Sequence, residues 1–259
     1  ATLRANETEV LDNWSKNELI QDWVRERTMQ NVGNAPQQKH PYKPSYLFDN
    51  GISPLQTYAV AGVLWYQGES NAHNTLLHER LFELLVTDWR NHWHRPTLPF
   101  VFAQLSSLSR PTWPAFRDSQ RRLQERLPMT GMAVTSDHGD SLDVHPLAKR
   151  PVGERMARWA LHDVYSFNIS HTGPQPVAAT AVGHVVTIAM RHGEHMSSSD
   201  GKALRTVELC GDNGIFYPAT AHITANGTIE VVSAEVSHPH TVRYAWQPFT
   251  RANLVGDDC

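Results

Sequence analysis

Two short stretches concentrate side chains able to do chemistry. In the first, GVLWYQGESNAHN (Gly62 to Asn74), Ser70 sits in a Gly-x-Ser setting after an apolar run. A nucleophile elbow needs small residues around its serine, because the strained strand-to-helix turn brings side chains against neighbouring backbone. Gly68 and Ala72 meet that need. The order Ser70, then Asp140 or Asp143, then His145 also matches the nucleophile, acid, base order of α/β-hydrolases. In those enzymes, however, the acid and the histidine stand on different loops, whereas here they fall within six residues of each other. The alternative makes Ser70 a capping or turn residue ahead of the next helix.

The second stretch, SDHGDSLDVHP (Ser136 to Pro146), holds three Asp and two His within eleven residues. Three readings are open. Asp137, His138, Asp140 and His145 are the residue types that supply nitrogen and oxygen ligands to a metal. A carboxylate next to a histidine instead suits an oriented imidazole acting as general base. A hydrogen-bonded loop with an Asp cap for the following helix is the third.

Both stretches lie where the surrounding elements would place them together. YAVAGVLWYQ reads as a continuous apolar strand, followed by a helix from Asn74 to Trp93 with Leu77, Leu81, Leu84, Leu85 and Trp89 on one face. LPFVFAQL and a helix from Ala115 to Leu127 repeat the unit, as do TGMAVTSD and a helix from Ala148 to Val164. Buried strands alternating with helices imply a parallel sheet covered on both sides. Sites in such sheets gather at the carboxyl ends of the strands, here QGESN, QLSS and SDHGD. Residues 7–30 carry an apolar spacing that predicts one long or two short helices, and the Pro-containing stretch after them reads as a loop. From Val177 the pattern changes to alternation (VVTIAM, TIEVV, TVRYAW) with an Asn226-Gly227 hairpin signal. Domain boundaries are therefore expected at 1–171 and 172–259, the second being an antiparallel β-sandwich-like module.

Composition bounds the function classes. The chain has 259 residues, 40% hydrophobic and 19% charged, which is a globular composition. A formal charge of −3 gives no electrostatic footprint for nucleic acid. No apolar run reaches the roughly 18–20 residues of a membrane span. Cys210 and Cys259 show neither CxxC spacing nor a disulfide framework, and a single bridge between them is the most they allow. Sequons occur at Asn6, Asn13, Asn168 and Asn226 and matter only in a secretory pathway. The chain opens on Ala without a signal-like segment, so it reads as a processed form or a fragment. Among the tryptophans, Trp65, Trp89, Trp93 and Trp159 fit core packing, and Trp113, beside prolines, is the candidate for stacking on a sugar.

Taken together, GVLWYQGESNA, TDWR, LPFVFAQLS, FRDSQ, TGMAVTSDHGD, DVHPLAKRPVGERMARWAL and VRYAW, in that order from about Tyr46 to Val255, closely resemble the sialate O-acetylesterase family, a branch of the SGNH (GDSL-type) hydrolases. The resemblance implies a flavodoxin-like three-layer α/β/α core with a β-rich region appended. It also implies removal of O-acetyl groups from sialic acids, with no metal or other cofactor. By its DVHP block, His145 would be the general base and Asp143 the nearest matching acid. Leu142 occupies the position where other SGNH enzymes carry the acid. Gln67 is the best candidate for an oxyanion donor, because an amide NH2 stabilises developing negative charge. Asn71 is a further candidate there, and Glu69 a positioning residue.

The family's nucleophile lies in a GQSN block on its first strand, which these 259 residues do not contain. The resemblance thus demotes Ser70. It implies that an N-terminal segment of the same precursor supplies the serine and the missing strands, since a sheet without them would keep an open edge. An acetylated glycan is the expected substrate, and a secreted, periplasmic or lysosomal location the expected setting. Other readings are an esterase for another acetylated sugar such as a xylan unit, a metal-dependent hydrolase, and a non-catalytic glycan-binding remnant.

Overall fold

A computed structural model describes residues 14–18, 20–33 and 39–256. The chain divides into two compact units, residues 1–60 and 61–259. In the first, a turn of 3-10 helix at Trp14–Lys16 precedes helix α1 (Asp22–Val32). Trp14 is buried and its ring lies 6.3 Å from that of His40. The helix expected over 7–30 corresponds to α1 in its second half, and residues 7–13 lie outside the described residues.

The second unit opens with three strands, β1 (Val63–Trp65), β2 (Phe100–Ala103) and β3 (Thr130–Ala133), paired in parallel in the order β1-β2-β3. Helices α2 (Thr75–His92), α3 (Trp113–Arg126) and α4 (Lys149–Asp163) follow them one by one. Alternation along β2 sends Phe100 and Phe102 to one face, where they meet Trp89 and Phe82 of α2. Val101 and Ala103 take the other face and pack with Val152, Met156 and Trp159 of α4. Each buried Val, Phe or Met side chain among these contributes about 1.5–3 kcal/mol. Gly131 of β3 makes room for this packing, because a Cβ there would stand 1.8 Å from the Trp159 ring.

The strands are shorter than the apolar runs that announce them. YAVAGVLWYQ contributes three residues to β1, and Tyr58 and Leu64 are exposed. Among the described residues β1 is the outermost strand, with β2 as its one neighbour, and less of its apolar run is covered than in β2. Leu64, in register with Val101 of β2, is 61% exposed.

After α4 the chain builds antiparallel structure. Strands β4 (Gln175–Val182), β5 (Val185–Arg191), β9 (Thr220–Ile223) and β10 (Thr228–Val232) form one sheet in the order β4-β5-β10-β9. Strands β7 (Val207–Cys210), β8 (Phe216–Pro218) and β11 (Thr241–Tyr244) form another, β11-β7-β8, while β6 (Ser197–Ser198) pairs with β12 (Leu254–Val255). Val186, Leu209, Ile229 and Val231 join the two larger sheets in one apolar cluster. The Asn226-Gly227 turn links β9 to β10 as expected, with Gly227 at φ 71°. Cys210 is a free, buried thiol, and its suggested partner Cys259 lies outside the described residues.

Candidate active site

The loop after β1 is shaped by Gly68. Its φ of 148° is closed to side-chain-bearing residues, and a Cβ there would meet the Phe116 ring at 2.9 Å. Glu69–Asn71 then form a single 3-10 turn. Asn74 caps α2, its side chain accepting the Leu77 N–H at 3.1 Å, so the cap is four residues past Ser70. Ser70 is exposed within the turn, and its carbonyl lies 2.8 Å from Nδ1 of His73.

Gln67 and Asn71 face each other across this turn, Gln67 Nε2 donating to Asn71 Oδ1 at 3.3 Å. Asn71 Nδ2 in turn lies 3.3 Å from Nδ1 of His78, on the first turns of α2. His78 is buried against Phe116, with ring centroids 4.5 Å apart, and desolvation lowers its pKa to about 4 in spite of Glu79 nearby. The ring is therefore neutral, accepts from Asn71 at Nδ1 and keeps its proton on Nε2. Periodicity in α2 gave no reason to single out His78; its signal is a histidine on the buried face of an amphipathic helix directly after the candidate loop.

The loop after β3 carries the acids and histidines. Burial would raise the pKa of Asp137, but a two-pronged pair with Arg155, at 2.7 Å on each arm, holds it below the ordinary value. Asp140 accepts the backbone N–H groups of Leu142 at 2.7 Å and Asp143 at 2.9 Å, which lower its pKa. These two carboxylates are thus structural. Among the described residues, Asp137, His138, Asp140 and His145 supply no three ligand atoms within 4.8 Å of one another. Asp143 Oδ1 accepts the His145 N–H at 2.8 Å and stands 3.6 Å from its Nδ1. The His145 side chain is 87% exposed, and no serine hydroxyl hydrogen-bonds its ring among the described residues.

What brings the two loops together is a shared base. Val144, between Asp143 and His145, packs on the cluster of Ala72, Leu105, Leu108, Trp113 and Phe116, and Tyr66 packs on it from the first loop. Lys149, just past the second loop, sets its ammonium 4.7 Å from the Tyr66 ring centre. Trp113 is part of this base. It is 2% exposed and its ring N–H donates to the Ser106 carbonyl at 2.8 Å, so neither face is offered to a sugar. The stacking role expected for Trp113 is corrected to packing, since a helix beginning at Trp113 turns the ring inward.

The loop after β2 is locked from both sides. Arg117, 4% exposed, donates to Ser107 Oγ at 3.2 Å and to the carbonyls of Ala245, Gln247 and Pro248 at 3.0, 2.5 and 3.2 Å. Desolvation lowers its pKa to about 10, which still leaves it charged at neutral pH. Gly139 completes the lock, because a Cβ there would fall 2.1 Å from the Ser107 carbonyl oxygen. Neither Arg117 nor Gly139 was picked out by residue type, yet FRDSQ and SDHGD are among the blocks that carry the family likeness.

The chain as a whole has counterparts among known proteins. Residues 18–162, more than half of the chain, match the model of the carbohydrate esterase family of sialic acid-specific acetylesterases. The chain is 28% identical to the human sialate O-acetylesterase over 88% of its own length and 50% of that protein, and 28% identical to the mouse enzyme over 80% and 43%. A carbohydrate acetylesterase from Xanthomonas citri superimposes with a TM-score of 0.75 at 33% identity, over 80% of this chain and 50% of that one. The chain thus spans about half the length of the relatives it matches. It belongs to the carbohydrate esterase family of sialic acid-specific acetylesterases.

Proposed function

We propose that the protein of which this chain forms part is a sialate O-acetylesterase working by serine acyl transfer. The observation that carries the reading is the seating of Val144 and Tyr66 on one apolar cluster, which sets the Asp143–His145 loop beside the Gln67 loop. The likeness to sialate O-acetylesterases supplies the substrate class. In this mechanism a serine attacks the acetyl carbonyl, and His145 takes its proton and later returns it to the sugar hydroxyl. Gln67 Nε2 and backbone N–H groups hold the oxyanion, with Asn71 and Glu69 positioning the loop. Water then attacks the acyl-serine, with His145 again as base, and acetate leaves.

The serine comes, in this reading, from a preceding segment that adds strands to β1 and completes an SGNH-type core of which residues 1–171 form a part, with 172–259 as the appended module. Two features support it: the exposed Leu64 on the edge strand, and a base whose ring stands open to solvent. A general base must lie within hydrogen-bond reach of the proton it abstracts, so an open His145 calls for a partner. A secreted, periplasmic or lysosomal setting follows from the glycan substrate.

Fluorophosphonate labelling of the full-length protein, with the tagged peptide mapped, tests the assignment. The tag is expected on a serine outside these 259 residues, together with acetate release from O-acetylated sialic acid. A tag on Ser70 would overturn it. Faster release from acetylated xylan than from sialic acid would move the substrate and leave the chemistry in place.

A further inference from the structure

Away from the loops just described, the carboxyl end of α4 meets the linker to the antiparallel sheets at a cavity of about 340 Å³ lined in part by His162, His171, His192, Glu194 and His195. Three elements supply these residues: the last turn of α4, the linker after it, and the turn following β5. Asp163 stands between two of the rings, its Oδ1 2.9 Å from Nδ1 of His162 and its Oδ2 3.6 Å from Nε2 of His171. The two imidazoles stack at 3.8 Å, and His192 approaches His171 edge-on at 5.7 Å. Ligand atoms of His162, Asp163 and His171 all fall within 4.8 Å of one another, the one such group of three among the described residues.

Four imidazoles and Glu194 line one cavity with Asp163 beside them, a donor set suited to a divalent transition metal. Imidazole nitrogen with carboxylate oxygen suits Zn²⁺ and its neighbours rather than Ca²⁺ or Mg²⁺, which take oxygen throughout. We propose that His162, Asp163 and His171 bind a Zn²⁺-type ion, with Glu194 or His195 from the turn after β5 as a fourth ligand. Tetrahedral ligand atoms about 2.0–2.1 Å from the metal lie closer together than 4.8 Å, so the ion draws them in. Rotation of the two rings about their Cβ–Cγ bonds unstacks them and aims their lone pairs at one point. The site is structural: it clasps α4 to the antiparallel sheets, using residues that take no part in the acyl-transfer reading, and it stands or falls independently of that reading.

The test is Zn²⁺ binding by the protein without a histidine tag, measured in competition with a chromophoric chelator, alongside the thermal midpoint. One equivalent of Zn²⁺ is expected to bind and raise the midpoint. His171→Asn and Asp163→Asn should each weaken binding by tenfold or more and abolish the rise, while His184→Asn, in the β4–β5 turn, should change neither. Diethylpyrocarbonate footprinting needs no variant, and bound Zn²⁺ should protect His162 and His171. The proposal is overturned if the wild-type midpoint does not move with Zn²⁺, if both ligand variants keep the wild-type affinity, or if neither ring is protected.

Discussion

Asn71 hands the orientation of Gln67 to His78: its Nδ2 meets the buried His78 Nδ1 at 3.3 Å, and its Oδ1 receives Gln67 Nε2 at the same distance. With the Asn71 amide donating through Nδ2, the neutral ring accepts at Nδ1, and one N–H of Gln67 is left to point elsewhere. An exposed loop thus inherits its geometry from a residue in the core.

His78 should accordingly act on turnover without touching substrate. His78→Leu removes the acceptor and is expected to lower kcat of the full-length enzyme by roughly tenfold to 10²-fold with KM little changed, the scale of a small misplacement. His78→Gln, which returns an acceptor oxygen, should recover much of the loss. Steady-state kinetics on O-acetylated sialic acid decides it, and equal losses in the two variants would make His78 merely a packing residue.

The same burial makes stability depend on pH. The folded pKa of His78 is about 4, below the ordinary 6.5, so the unfolded chain binds the extra proton first as pH falls. The contribution is intact above about pH 6.5 and is lost between there and about pH 4, amounting to about 3 kcal/mol. Urea midpoints of wild type and His78→Gln across that window should converge as the pH is lowered, since other acid-sensitive groups are common to both.

His145 and Asp143 should differ in weight. His145→Ala is expected to cost about 10⁴-fold or more in kcat, as when a triad member is removed. Asp143→Asn should cost less, on the order of 10²-fold, because its carboxylate engages the His145 backbone N–H at 2.8 Å and only approaches the ring at 3.6 Å. Turnover near normal in His145→Ala would remove it from the mechanism.

Two glycines test the packing that carries the site. Gly131→Ala pushes a methyl into the Trp159 ring and Gly139→Ala pushes one into Ser107 backbone. Each should lower stability by at least about 2 kcal/mol, read as a shift in denaturant midpoint. Gly139→Ala should in addition depress kcat, since the 136–145 loop must move to admit the methyl, whereas Gly131→Ala should leave kcat at permissive temperature close to wild type.

The helices α2, α3 and α4 were legible to within two residues at each end, because each carries a long amphipathic period and its core partners are local. Strand lengths were not, since an apolar run records what a strand can bury and not whether a neighbour covers it; Tyr58 and Leu64 show the difference. That Asp143 and His145 stand side by side, 3.6 Å apart, was legible from their spacing. The relay through His78 and the Arg117 lock were not, because each depends on backbone carbonyls or amides brought in from elsewhere, and those groups leave no trace in residue type. The histidines around Asp163 escaped notice for a related reason: they are scattered over residues 162–195 and meet only once the linker has turned back.

The Arg117 lock bears on how such a protein can be taken apart. Its guanidinium sits in the α/β layer, but three of its acceptors belong to the segment 245–250, near the far end of the chain. Cutting the chain between α4 and β4 would take those carbonyls away, leaving water to replace three aimed acceptors around a cation that the intact chain buries. The β-rich segment is therefore no detachable cassette: expressing the α/β layer by itself should leave the loop after β2 unpinned and lower the denaturant midpoint of that layer.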